Sequence, residues 1–163
     1  MRNKILKKKQ LNLISNKLKK QKKKIILVHG VFDVVHLGHI SHFKEAKSYG
    51  DILVVSITAD RFVKKGFNKP YFDAYQRAQF LNSLSIVDYV VVNDNKSSIG
   101  IINALKPAAY CKGPDYSKKS GDVAGNLGIE KHAVEKHGGK LIVTRGKLYS
   151  STKILNNNFE DFN

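Results

Sequence analysis

Five short apolar runs, each separated from the next by a stretch with helical spacing, constrain this chain more than any other feature. The runs cover residues 24–29, 51–58, 87–92, 108–112 and 140–144, and "DILVVSIT" is representative. They are continuous rather than alternating, so both faces of each strand must be covered. Between them, residues 38–49, 74–84, 99–105 and 123–137 place apolar side chains at helical intervals and stop at Gly50, Pro107 or the Gly138 and Gly139 pair. This alternation predicts a single α/β domain: a Rossmann-like, doubly wound sheet of about five parallel strands. The length of 163 residues suits one such core. A final helical turn or two is expected over 151–157, with a polar tail at 158–163.

In parallel sheets, ligands bind beyond the carboxyl ends of the strands. At that end of the first run stands "GVFDVVHLGHI", residues 30–40. A strand-to-helix turn offers unpaired backbone N–H groups and the positive end of a helix dipole, which together attract phosphate. Gly38 carries no Cβ, so the backbone can approach a ligand closely. His36 and His39 are three apart, a spacing that lets both rings face one side of the turn and donate to phosphate oxygens. The segment matches neither the Walker loop nor the G-x-G-x-x-G dinucleotide fingerprint. No third ligand near the histidines completes a metal site, and no Cys/His spacing suits zinc.

The net charge of +16 is concentrated at one end. Residues 1–24 hold eleven Lys/Arg and no acid, leaving 18 basic against 13 acidic residues elsewhere. Leu11, Ile14 and Leu18 recur at helical spacing, so residues 1–23 read as a basic leader helix docked by one stripe, ahead of a domain at 24–157. On that reading the lysines form a solvated face rather than a nucleic-acid surface, and removing residues 1–20 should leave substantial activity. The longest apolar runs are too short to span a bilayer. The N-terminus lacks the apolar core of a secretory signal, and the lone Cys111 precludes a disulfide framework and fits a reducing, cytoplasmic setting.

"GVFDVVHLGHISHFKEAKSYGD" resembles the signature of the cytidylyltransferase-like nucleotidyltransferases, G-x-F-D-x-x-H-x-G-H followed by a helix and Gly-Asp. Gly30, Phe32, Asp33, His36, Gly38 and His39 occupy every fixed position. The resemblance implies that His36 and His39 hold the nucleotide phosphates, with Gly30, Val31, Phe32, Asp33 and Gly38 shaping the same turn. It implies transfer of a nucleotidyl group from an NTP to a sugar- or polyol-phosphate, with Mg²⁺ bridging the triphosphate and pyrophosphate as the leaving group. It also implies a homodimer.

The likeness continues along the chain. In "FVKKGFNKPYFDAYQRAQFL", Lys65 stands where the family carries a catalytic basic residue, with Lys64 and Lys69 as rivals, and Arg77 stands where an arginine would meet the acceptor. "YCKGPDY" resembles the family's pocket-lining element and nominates Lys112 and Asp115 as nucleotide contacts. "RGKLYSSTKIL" resembles the closing element, assigning Arg145, Ser150, Ser151 and Thr152 to the triphosphate. The leader, "KGPDY" and "VEKHGGKLIV" look like the adenylyltransferase half of bifunctional heptose-phosphate kinase/adenylyltransferases, here standing alone. The spacing of Arg145 to Ser150 looks like glycerol-3-phosphate cytidylyltransferases. ATP is therefore favoured slightly over CTP. The alternatives are a glycerol-3-phosphate-type cytidylyltransferase, a pantetheine-phosphate or nicotinate-mononucleotide adenylyltransferase, and a non-catalytic nucleotide- or RNA-binding module of the same fold.

Overall fold

Each apolar run becomes a strand because only a site covered on both faces can hide it. The structure, a computed structural model, is described for residues 3–63, 69–117 and 125–145. The elements are β1 (Ile5–Leu6), α1 (Leu11–Lys20), β2 (Ile25–Gly30), α2 (Leu37–Ser48), β3 (Ile52–Thr58), α3 (Ala74–Ser83), β4 (Tyr89–Asn93), α4 (Ile99–Leu105), β5 (Ala109–Lys112), α5 (Leu127–Glu135) and β6 (Lys140–Val143). The six strands form one parallel sheet in the order β1-β4-β3-β2-β5-β6. The five expected strands and the first four expected helices are present within a few residues of their anticipated bounds. The expected helix at 151–157 and the tail at 158–163 lie outside the described residues.

Side chains alternate across the sheet, which splits the core in two. Ile26, Val28, Leu53, Val55, Ile57 and Val90 face α2 and α3, where Phe43, Ala46, Ala78 and Leu81 meet them. Leu27, Val54, Val91 and Tyr110 face α1, α4 and α5, against Leu11, Leu18, Ile101, Ile102, Leu105 and Val134. From β2 the chain builds outward through β3 to β4, then returns through α4 to β5 on the other flank of β2. The strand order therefore reverses between β2 and β5, and such a switch point opens a crevice at the carboxyl ends.

The sixth strand is the departure from expectation. Ile5 and Leu6 pair with Val90 and Val91, covering the outer edge of β4. Two residues carry no readable period, so the leader looked like a helix alone. The helix is also more deeply committed than a solvated face: Leu11 is 0% exposed, Leu18 is 6% exposed, and Ser15 Oγ donates to Leu105 O at 2.6 Å. Lys4 adds two ties, from its backbone N–H to Asn82 Oδ1 and from Nζ to Leu84 O. The leader is part of the core rather than an appendage to it.

Candidate active site

The first strand-to-helix turn is built by a sharp backbone reversal. Phe32 sits at φ +50°, in the left-handed region that a bulky residue enters only when its surroundings repay the strain. Here the repayment is packing. The Phe32 ring is buried and meets the His39 and Phe43 rings edge-on, each at 5.2 Å between centroids. Gly30 makes room for it, since a Cβ there would lie 3.0 Å from the ring tip. This ring fixes the platform on which the histidines stand.

His36 is the N-cap of α2, with extended backbone. Its Nδ1 accepts the Gly38 N–H at 3.1 Å, and His39 Nδ1 faces the His36 N–H at the long distance of 3.4 Å. Both Nδ1 atoms thus act as acceptors, which puts the proton of each neutral ring on Nε2. The two rings stack at 3.9 Å with a 20° interplanar angle. The spacing seen in the sequence does bring the imidazoles together, as a parallel pair at a helix start.

Asp33 holds the neighbouring loop. Its two carboxylate oxygens accept the backbone N–H groups of Tyr71 and Phe72 at 2.9 and 3.0 Å. Arg77 reinforces the same joint from below, and here the expectation of an acceptor contact is corrected. The side chain is 0% exposed and donates to Phe72 O, Val31 O, Thr58 O and Asp60 Oδ1. Four of its five N–H donors are spent on the ends of β2, β3 and the loop before α3. Burial leaves no surface for a substrate, so Arg77 shapes the turn instead.

Lys112 also departs from its expected place. It ends β5 with 4% exposure, and its Nζ lies 2.9 Å from Glu130 Oε2 on α5. Burial works against both charges. For Lys112 it is outweighed by Tyr110 and Glu130, which hold the ammonium above its ordinary pKa. For Glu130 it is outweighed by Lys112 and the Ser98 bonds, which hold the carboxyl below its ordinary pKa. Burial raises the Tyr110 hydroxyl, so near neutrality Glu130 supplies the countercharge. Asp115 stays exposed in the turn after β5, and its Oδ1 folds back against Gly113, where a Cβ would lie 2.5 Å away.

Three further histidine and acid positions escaped the sequence reading. His29, the residue before Gly30, sits 3.0 Å from Ser56 Oγ through Nδ1, and burial with the nearby Lys112 charge lowers its pKa to about 4. His42, one turn beyond His39, meets Thr144 Oγ1 at 2.8 Å, and burial lowers its pKa to about 4 as well. Glu45 accepts the Arg145 N–H at 2.9 Å. Through His42 and Glu45, α2 pins Thr144 and Arg145 just after β6. Position within the element was the available signal: His42 and Glu45 share a helix face three apart. Lys65, Ser150, Ser151 and Thr152 lie outside the described residues.

A family model described as cytidylyltransferase-like matches residues 27–157. A protein of Geobacter metallireducens named bifunctional protein HldE is 39% identical over 136 residues, covering 82% of this chain and 26% of that protein. The protein of the same name from Helicobacter acinonychis is 42% identical over 111 residues, covering 67% of this chain and 24% of its own length. The chain thus spans about a quarter of the length of the curated relatives it matches. Among solved structures, a lipopolysaccharide core biosynthesis protein of Thermoplasma volcanium superposes with a TM-score of 0.64 at 26% identity, over 77% of this chain and 99% of that one. A pantoate-β-alanine ligase of Francisella tularensis reaches a TM-score of 0.61 at 24% identity, over 95% and 73% of the two chains, and shares the fold.

Proposed function

The chain belongs to the cytidylyltransferase-like family, and from that membership we propose that it transfers a nucleoside monophosphate from an NTP to a sugar phosphate, releasing pyrophosphate. The observation that carries this reading is the stacked His36–His39 pair on the start of α2, at 3.9 Å. An acceptor phosphate oxygen attacks the α-phosphorus in line, the bond to the bridging oxygen breaks, and pyrophosphate leaves with that electron pair. The nucleophile is already ionised, so no base and no covalent enzyme intermediate is required. The residues supply position and charge stabilisation. Nε2–H of each histidine donates to oxygens on which negative charge grows, while the start of α2 adds the positive end of its dipole.

Asp33 and Arg77 hold the loop that borders this turn. Lys65 would cover the triphosphate from the loop after β3, and Arg145, Ser150, Ser151 and Thr152 would meet its far end. A divalent ion, Mg²⁺ in this reading, would neutralise charge on the triphosphate. Such an ion would arrive with the nucleotide, as Mg²⁺ commonly does. The "KGPDY" and "VEKHGGKLIV" stretches and the heptose-type resemblance favour ATP and a heptose phosphate. The Arg145-to-Ser150 spacing supports the second reading, CTP with a polyol phosphate. Both place the protein in the cytoplasm, where the nucleotides are, and no helix among the described residues is long and apolar enough to cross a membrane.

The deciding experiment measures pyrophosphate release from each of the four NTPs with heptose, hexose and glycerol phosphates. Release with ATP and a heptose phosphate alone is expected. No release from any pairing would overturn the enzyme reading and leave a nucleotide-binding module.

A further inference from the structure

Beneath the crevice between β2 and β5 lies a buried polar cluster to which no part of the transfer mechanism assigns a task. Glu130, 2% exposed on α5, is its centre. Oε1 accepts both the backbone N–H of Ser98 at 2.9 Å and its hydroxyl at 2.7 Å. Oε2 accepts the Tyr110 hydroxyl at 3.0 Å and faces Lys112 Nζ at 2.9 Å. The same ammonium lies 4.5 Å from the ring centre of Tyr116 in the turn after β5, and 4.9 Å from that of Tyr110. Three elements therefore meet on one carboxylate, the start of α4, α5 and β5, and the Lys112 ammonium ties the 114–117 turn to them.

A buried ion pair contributes little stability compared with two well-packed apolar side chains of like size. What the pair supplies is a fixed position. Lys112 is the last residue of β5, and an ammonium against the face of Tyr116 holds that ring where Glu130 places the charge. β5 is the sheet neighbour of β2, in register from Ile26–Ala109 to Val28–Cys111. The turn beginning at Gly113 thus stands beside the end of β2, across the switch point from the histidine turn. We propose that Glu130 is a positioning residue for the nucleotide: through Lys112 it fixes Tyr116 and the turn after β5, which form the wall of the crevice opposite His36 and His39. This deepens the nucleotidyl-transfer reading and rests on it.

The test uses the full chain and reads nucleotide binding apart from turnover. Calorimetric Kd values for ATP and CTP are measured without acceptor, alongside kcat and both KM values, for the Lys112→Met/Glu130→Leu double variant, for Tyr116→Leu and for Tyr116→Phe. The double variant removes both charges together, so no unpaired ion is left to drive unfolding. The expected result is a Kd for the preferred nucleotide raised roughly 5–30-fold in the double variant and in Tyr116→Leu. Tyr116→Phe, which keeps the ring, should bind like wild type, and the acceptor KM should not move. Wild-type nucleotide Kd in a folded double variant would overturn the proposal. So would a fall in kcat with both KM values unchanged, the mark of a smaller folded fraction. If the double variant does not fold, the contrast between Tyr116→Leu and Tyr116→Phe decides, and equal Kd values for the two overturn the proposal. A wild-type protein that binds nucleotide but transfers it to no acceptor would sink the transfer reading while leaving these Kd comparisons decisive.

Discussion

At the scale of single residues, His36 carries two tasks that substitution can separate. Its side chain caps α2 through Nδ1, and its Nε2–H is the proposed phosphate donor. Asparagine caps helices as well as any residue but does not place a donor where Nε2 stands. His36→Asn should therefore keep the thermal midpoint within a few degrees while lowering kcat roughly 10²–10³-fold, the scale for one lost transition-state donor. Turnover near wild type would place the phosphate elsewhere. Arg77 should behave in the opposite way. Arg77→Met strands three backbone carbonyls and removes the partner of Asp60, and should cost on the order of 3 kcal/mol of stability. A denaturant titration checks this, and an unchanged midpoint with a raised acceptor KM would restore the substrate role.

At the scale of elements, the leader decides more than its composition suggests. β1 closes the β4 edge, and Leu11 and Leu18 of α1 complete the core cluster that holds Leu27, Val54 and Val91. Deleting residues 1–20 should therefore give a protein that aggregates or unfolds cooperatively at much lower denaturant. Leu11→Ala, which cuts a fully buried side chain, should by itself cost about 2–5 kcal/mol. A truncated chain with a wild-type melt would mean that α1 packs without contributing. The helix was legible because Leu11, Ile14 and Leu18 fall on one stripe. The strand was not, because Ile5 and Leu6 acquire their meaning only from Val90 and Val91, 85 positions away in the register.

At the scale of the whole molecule, the half-buried His29 and the buried His42 couple stability to pH. His29 and His42 are each lowered to about 4 by burial, from an ordinary 6.5. Between those values the unfolded chain binds protons that the folded chain refuses, so stability is full above about pH 6.5 and falls as pH drops toward 4. Glu130, lowered from 4.5, contributes in the same direction but only at lower pH. A loss of stability between pH 7 and pH 5 thus belongs to the histidines. Denaturant midpoints across that range should fall for wild type and fall less steeply for His42→Gln. Identical slopes would show that His42 titrates normally in the fold.

The sequence by itself determined the alternation of strand and helix, the single parallel sheet and the turn that pairs His36 with His39. Those features are local: continuous apolar runs, helical spacing, and the fixed intervals among Gly30, Asp33, His36 and His39 survive in one dimension. Only the tertiary structure decided what Arg77, Lys112 and Glu130 do. All three are charged, and a linear reading sends charge to the surface or to a ligand. Burial is set by which strands lie side by side and which helix covers them. Once β5 lies against β2 with α5 over it, Lys112 has no path to water and takes Glu130 as its partner. Once α3 packs beneath the ends of β2 and β3, the Arg77 donors meet backbone carbonyls before any substrate can. Those neighbours are brought together by the fold, from positions that no spacing in the chain connects.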